Sequence, residues 1–212
     1  MRRIVPIYLA INTSPSMASK LPEIEHAIVA FADELLYSPI LGDRVRVSLV
    51  AFADRARCLL RLTDLTERTE LPTLVAGYET RFAPLFDLLA TLTKEDAYAH
   101  TASGIAYSRP LVLLVTDGVP TDPGWEKAFN RFYRTAHPRI TLITIGLEKA
   151  QAEEMGVIVR SPHTLMLGDA PDQPLVHQIK ALLMKHVAPL VTSRQISRPQ
   201  ETQPTILPGE EW

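Results

Sequence analysis

Cysteine occurs once in the 212 residues, at Cys58, which excludes an internal disulfide and any zinc site built on several thiolates. Cys58 lies in an apolar run and reads as a packed thiol, not a nucleophile. Glycine is scarce, with nine residues, and nowhere does it cluster into a loop that would cradle a phosphate, so no nucleotide site is expected. Neither charge sign dominates: 22 Lys and Arg against 24 Asp and Glu leave a net charge of -2, with no footprint for nucleic acid or an anionic membrane. No apolar run approaches the length of a membrane span. Met1-Arg2-Arg3 has the charge of a signal-peptide start, but the apolar run from Ile4 to Ile11 contains Pro6, stops early and lacks a small-residue cleavage motif. A cytoplasmic protein is the expectation. The six histidines include no His-x-x-x-His pair, and Gly-x-Ser-x-Gly is absent, so neither a histidine metal site nor an ordinary serine hydrolase is indicated.

What is present is an ordinary globular composition, 46% hydrophobic and 22% charged, in a chain long enough for one substantial core. Ile4 to Ile11 is apolar on both faces, as a central parallel strand would be. Leu21 to Leu36 reads as a helix with Ile24, Ile28, Phe31 and Leu35 on one stripe. Pro39 and Gly42-Asp43 mark a turn. Residues 44–52 alternate as a strand, and 56–62 read as its antiparallel hairpin partner at the sheet edge. Thr80 opens a helix to about Leu92, with Phe82, Leu85, Phe86 and Leu89 inward, and residues 99–108 read as a polar connection. Leu111 to Val115 is a second buried strand. A helix follows from Pro123 to about His137, with Pro at its first turn. Ile140 to Ile145 is a strand, Glu148 to Met155 a short helix, and residues 157–159 with 164–167 a last strand. Pro174 to Ala188 closes the domain as a helix, with Val176, Ile179, Leu182, Leu183 and His186 as candidate inward positions. Strands alternating with helices predict an α/β, Rossmann-like, doubly wound sheet of six mostly parallel strands, one antiparallel at the edge, with helices on both faces. The domain is expected over residues 1–190. Residues 191–212, with Pro199, Pro204 and Pro208, read as a flexible tail.

In such sheets ligands bind beyond the carboxyl ends of the strands. Two strand ends carry polar residues there. Asn12-Thr13-Ser14-Pro15-Ser16 follows the first strand, with hydroxyls spaced i, i+2. Thr116-Asp117-Gly118 follows the second buried strand. Thr80 adds a third hydroxyl. Ser, Thr and Asp oxygens are the ligand set of a hard divalent cation. These three elements, in this order and spacing over about residues 4 to 190, resemble the von Willebrand factor A domain, and the compact form resembles bacterial members of the tellurium-resistance-associated type. The family's metal-ion-dependent adhesion site joins an Asp-x-Ser-x-Ser loop, a distant Thr and a later Asp. The resemblance implies Mg²⁺ or Mn²⁺ bound by Ser14, Ser16 and Thr80, with Asn12 and Asp117 holding metal-bound waters. It also implies an open coordination position filled by a partner protein's acidic side chain. The implied role is a non-catalytic adaptor in a bacterial stress-response or defence system.

The sequence departs from the pattern at three places. Asn12 stands where the family has Asp, Pro15 replaces a Gly, and Tyr78-Glu79 replaces a Gly pair before Thr80, with Arg81 beside it. With Asp117 as the remaining carboxylate, a bound Mg²⁺ would leave the site near a net charge of about +1, weakening its retention by lost Coulomb attraction. Two readings stand. The site holds metal, with Glu79 as a substitute charge; or it holds none, Ser14 and Ser16 cap the local turn, and Arg81 supplies the positive charge for an acidic partner. Trp125 is either an exposed interface anchor or the packing of a helix start. The rival functions are a structural subunit with a vestigial site and a metal-assisted hydrolase.

Overall fold

A computed structural model describes residues 2–67, 70–162, 164–167 and 173–192. All but the first two residues of the predicted tail lie outside these. The chain runs through β1 (Arg3–Asn12), α1 (Leu21–Tyr37), α2 (Pro39–Arg44), β2 (Val45–Phe52) and β3 (Ala56–Thr63). It continues through α3 (Ala83–Ala102), β4 (Ala106–Tyr107), β5 (Leu111–Thr116) and α4 (Trp125–Ala136). It then forms β6 (Arg139–Ile145), α5 (Lys149–Ile158), β7 (Thr164–Leu167) and α6 (Leu175–Thr192).

Six strands form one path in the order β3-β2-β1-β5-β6-β7, and the two-residue β4 pairs with the start of β1. All pairings are parallel except β2 with β3, where antiparallel geometry follows from the short hairpin connection. The strand order reverses between β1 and β5, because the chain builds outward from β1 to β2 and β3, then returns to add β5 on the other side. That reversal opens a crevice at the carboxyl ends of β1 and β5.

The β1 side chains alternate between two cores, as a strand with period two requires. Val5, Ile7, Leu9 and Ile11 join the layer under α1 and α6, where Ile24, Ile28, Phe31, Leu35, Ile179 and Leu183 are buried. Tyr8 and Ala10 face the layer under α3 and α4, built on Phe82, Phe86, Trp125, Phe129 and Phe132. Phe86 is the hub of this second layer, with ring centroids 5.9 Å from Phe82, 5.1 Å from Phe129 and 6.0 Å from Phe132. Such aromatic contacts add about 0.5–1.5 kcal/mol each beyond area burial.

Several boundaries differ from the sequence expectation. The expected turn at Pro39 to Asp43 is the short helix α2. Gly42 fits there because a Cβ would come within 2.9 Å of the Leu35 carbonyl oxygen. Residues 157 and 158 end α5 and do not begin a strand, so β7 is 164–167 alone. α4 begins at Trp125, after Gly124 in a left-handed conformation (φ 76°), so Pro123 precedes the helix. Helix α3 starts at Ala83 instead of Thr80 and continues to Ala102. Its start is set from outside: Asp122 accepts hydrogen bonds from the backbone N–H of Phe82 and Ala83, both at 2.8 Å. This satisfies two of the amide donors that every helix start leaves open.

The extension of α3 was hidden because a polar residue, Asp96, occupies its inner face. The Tyr8 hydroxyl donates to Asp96 Oδ2 at 2.7 Å and is 2.8 Å from the Tyr107 hydroxyl. Arg61 donates to Asp96 Oδ1 at 3.1 Å. Burial, followed by the influence of Tyr107 and Asp96, pushes the Tyr8 phenol far above its ordinary value. Burial likewise raises Tyr107, and it also raises the Cys58 thiol, in line with an inert packed cysteine.

Two stability predictions follow from these contacts. Asp122→Ala uncaps α3 and lowers the unfolding free energy by about 1–2 kcal/mol in denaturant titration. Tyr8 stays protonated in the fold while unfolded tyrosines ionise near about pH 10, so its contribution is complete below that pH and is lost as pH rises. The native chain loses up to about 1.4 kcal/mol per pH unit through Tyr8 above about pH 10. In Tyr8→Phe the alkaline slope of unfolding free energy is shallower by that amount.

Candidate functional site

The site is built where β1 and β5 end side by side, with Ile11 paired to Val115. After Asn12 the chain turns sharply. The Asn12 side-chain Oδ1 accepts the Ser14 backbone N–H at 2.8 Å, the two-residue return typical of Asn in turns. Pro15 then opens a single 3₁₀ turn, Pro15–Met17, which its fixed φ favours and a glycine would loosen. Met17 is buried beneath the turn and anchors it. Ser14 and Ser16 are left with their hydroxyls 3.1 Å apart.

The orientation of Asn12 follows from its neighbours. Its Nδ2 donates to Thr116 Oγ1 at 3.0 Å and lies 3.4 Å from Asp117 Oδ1. The flipped amide would place oxygen against the carboxylate and nitrogen against the Ser14 N–H, two repulsive contacts. Thr116, fully buried, also donates to the Gly118 carbonyl at 2.9 Å and so holds the strand end in its turn.

Asp117 is the centre of the cluster. Its carboxylate, 3% exposed, accepts from Ser16 Oγ at 3.0 Å on Oδ1 and from Lys20 Nζ at 2.8 Å on Oδ2. Lys20 was not singled out by sequence reasoning. The signal for it lay in the charge count: with Asn at position 12, the buried Asp117 needs a cation, and Lys20 follows the serine loop directly. The turn at residues 18–20, closed by Lys20 N–H to the Met17 carbonyl at 2.8 Å, brings its side chain back over the site.

Thr80 reaches the site on a separate segment. Gly77 lets this segment cross close to β2: its N–H donates to the Thr13 carbonyl at 2.7 Å, and a Cβ would lie 2.4 Å from that of Ala53. The Thr80 carbonyl accepts from the backbone N–H of Thr121 at 2.8 Å and from its hydroxyl at 3.1 Å. Its own Oγ1 faces Gly118, 3.7 Å from where a Cβ there would sit. Ser14, Pro15, Ser16, Tyr78, Glu79, Thr80 and Thr121 line one open depression of about 570 Å³.

The residues expected to contact a partner separate. Glu79 lines the depression and Arg81 follows Thr80 in the chain; both are exposed, and neither side chain makes an ion pair among the described residues. Trp125 is not an exposed anchor. It is 7% exposed and packs 5.5 Å from Phe82 and 6.1 Å from Phe86, so the helix-start reading is the correct one. The exposed aromatic at this edge is Tyr78, 85% exposed, with Val75 and Val119 also exposed.

As arranged, these donors do not fit a divalent cation. The two serine hydroxyls are spaced as metal ligands could be, but the Asp117 carboxylate is matched to an ammonium, a hydroxyl and an amide. A cation approaching Asp117 would also meet the Lys20 ammonium, and unit charges about 4 Å apart at a partly exposed site interact by about 4 kcal/mol, twice that for a doubly charged ion. Among the described residues no three His, Cys, Asp or Glu side chains group to hold a metal elsewhere. Ser14 and Ser16 bond each other and Ser16 bonds Asp117, and among the described residues no histidine is hydrogen-bonded to either serine, as the nucleophile–base geometry of serine hydrolysis would require.

The fold has many solved counterparts. The pilus adhesin SpaC from Lactobacillus rhamnosus GG superposes with a TM-score of 0.68 at 13% identity, covering 89% of this chain and 30% of the adhesin. The chain thus spans about a third of that protein's length. A von Willebrand factor type A protein from Catenulispora acidiphila gives a TM-score of 0.62 at 14% identity, covering 88% of this chain and 42% of that one. The conserved hypothetical protein BatB from Bacteroides thetaiotaomicron gives 0.61 at 13% identity, covering 89% of this chain and all of its own, 100%. At such identities the likeness speaks for the fold alone. No curated protein matches significantly. The sequence model of the von Willebrand factor type A domain matches residues 7–180, most of the chain, and the protein belongs to that family.

Proposed function

We propose that the domain is a non-catalytic protein–protein interaction module that receives an acidic side chain of a partner at the carboxyl edge of its sheet. Domains of this family commonly mediate protein interaction or adhesion. The observation that carries the reading is the convergence of Ser14, Ser16 and Thr80 on one open depression, which Glu79 also lines, with the exposed Arg81 next in the chain after Thr80. Hydroxyls and a guanidinium are donors, and a carboxylate is the acceptor they suit. Tyr78, exposed on the same edge, supplies the aromatic contact area that protein interfaces concentrate at their energetic centre. By its likeness to the compact tellurium-resistance-associated members, the domain acts as a cytoplasmic adaptor in a bacterial stress-response or defence system.

A second reading has an observation of its own. Leu36, Tyr37 and Ile40 are exposed together where α1 passes into α2, at the opposite end of the sheet. A structural subunit could pack there and leave the carboxyl edge unused.

Selection of a displayed random-peptide library on the full chain separates the two. The expected result is enrichment of Asp- or Glu-containing peptides. Their affinity should fall at least about tenfold, or about 1.4 kcal/mol, in Arg81→Glu and in Tyr78→Ala. Enriched peptides that bind both variants as well as the native chain would overturn the docking reading, and loss with Tyr37→Ala instead would favour the opposite end.

A further inference from the structure

The donor set around Asp117 is complete without a metal, and this deepens the docking reading on which it rests. We propose that the Lys20 ammonium is the resident cation of this site, supplying Asp117 with the positive charge that a divalent ion would otherwise supply. In this role it would join the buried Asp117 carboxylate to the incoming carboxylate of a partner.

Charge is the first argument. Asn12 is neutral, Asp117 carries one negative charge and Lys20 one positive charge, so the cluster balances with a single monovalent cation. Geometry is the second. Lys20 Nζ lies 2.8 Å from Asp117 Oδ2, whose side chain is 3% exposed, whereas the lysine side chain is 28% exposed. The ammonium therefore pairs with a buried carboxylate while its own side chain stays partly open to solvent. It has three N–H donors, and one is given to Asp117 among the described residues. The remaining donors can meet a carboxylate from outside, giving a carboxylate–ammonium–carboxylate bridge with the topology of a metal bridge and half its charge.

The third argument ties Lys20 to Asn12. Asn12 Nδ2 is 3.4 Å from Asp117 Oδ1 and 3.0 Å from Thr116 Oγ1. An aspartate in the same place would set two carboxylates against each other, an arrangement that needs more than one positive charge to hold. Asparagine is thus the residue that a one-charge site requires. Its amide donates to Asp117 where a second carboxylate would repel it.

Calorimetric titration of the full chain with Mn²⁺ and with Mg²⁺ tests this without any partner. The variants are Asn12→Asp, Lys20→Met and the two combined, with Lys20→Gln as a second neutral replacement. Thermal unfolding of each confirms that it is folded. The native chain is expected to show no saturable binding at millimolar ion and no change in unfolding temperature with EDTA. The combined variant, with two carboxylates and no ammonium, is expected to bind Mn²⁺ saturably, at least tenfold tighter than the native chain, and to unfold at higher temperature when the ion is present. Saturable Mn²⁺ binding by the native chain would overturn the proposal. So would a folded combined variant, with Met or Gln at position 20, that binds no better than native. Either result would leave acidic-peptide selection at the edge standing, since that is read separately. Conversely, failure of peptide selection alongside the expected metal titrations would remove the docking role and keep Lys20 as the site's cation.

Discussion

The parallel pairing of β1 with β5 is the constraint on which the rest depends. The strands lie side by side at the point where the winding of the sheet reverses, and their register ends both at one level. Because both are buried on both faces, the register is held by two cores at once. A slip of one residue would turn Tyr8 from its polar partners into the aliphatic layer and send Ile7 and Leu9 the other way. The same slip would part Asn12 from Thr116 and Asp117. The precision of the polar edge is therefore a consequence of apolar packing some distance below it.

Two buried carboxylates show how the fold handles charge. Asp96 sits on the inner face of α3, where Tyr8 and Arg61 satisfy it. Asp117 sits at the end of β5, where Lys20, Ser16 and Asn12 do so. Removing one partner from such a cluster costs more than the pair contributes, since a charge is left without compensation. The two clusters differ in what surrounds them. The Asp96 cluster is tied to the inner layer through the hydroxyl of the fully buried Tyr8, whereas Asp117 is bonded to Ser16, which lines the open depression, and to the partly exposed Lys20. The first arrangement suits structure, and the second suits contact with another molecule.

Helix α3 links the two ends of the molecule. Asp122, five residues beyond Asp117, holds its first amides, and Thr121 holds the Thr80 carbonyl just before it. The loop after β5 thus sets both the position of Asp117 and the approach of Thr80. Further along, Phe86 locks the helix to α4 and Asp96 locks it to β1. The carboxyl edge rests on a helix fastened along its length, which allows Thr80 to be presented by a segment that is not itself helical.

Apart from the short α2 and the two-residue β4, which read as a turn and a connection, the order of strands and helices was legible in the sequence, as were the two-faced burial of residues 4–11 and 111–115, the antiparallel hairpin and the meeting of Ser14, Ser16, Thr80 and Asp117 at one edge. They rest on periodicity and on the rule that ligands gather at strand ends, which act locally or through topology, and, for Thr80, on the resemblance to the von Willebrand factor A domain. Other features needed the tertiary structure. Lys20 came to Asp117 through a turn whose direction depends on Met17 finding the core. Trp125 was drawn inward by Phe82 and Phe86, and Tyr78 was left outside in its stead. Asp96 disguised the length of α3 because its partners, Tyr8 and Arg61, lie 88 and 35 residues away. Hydrophobic spacing determines which residues face inward, whereas the partner of a single charge is settled by three-dimensional proximity, which local spacing does not encode.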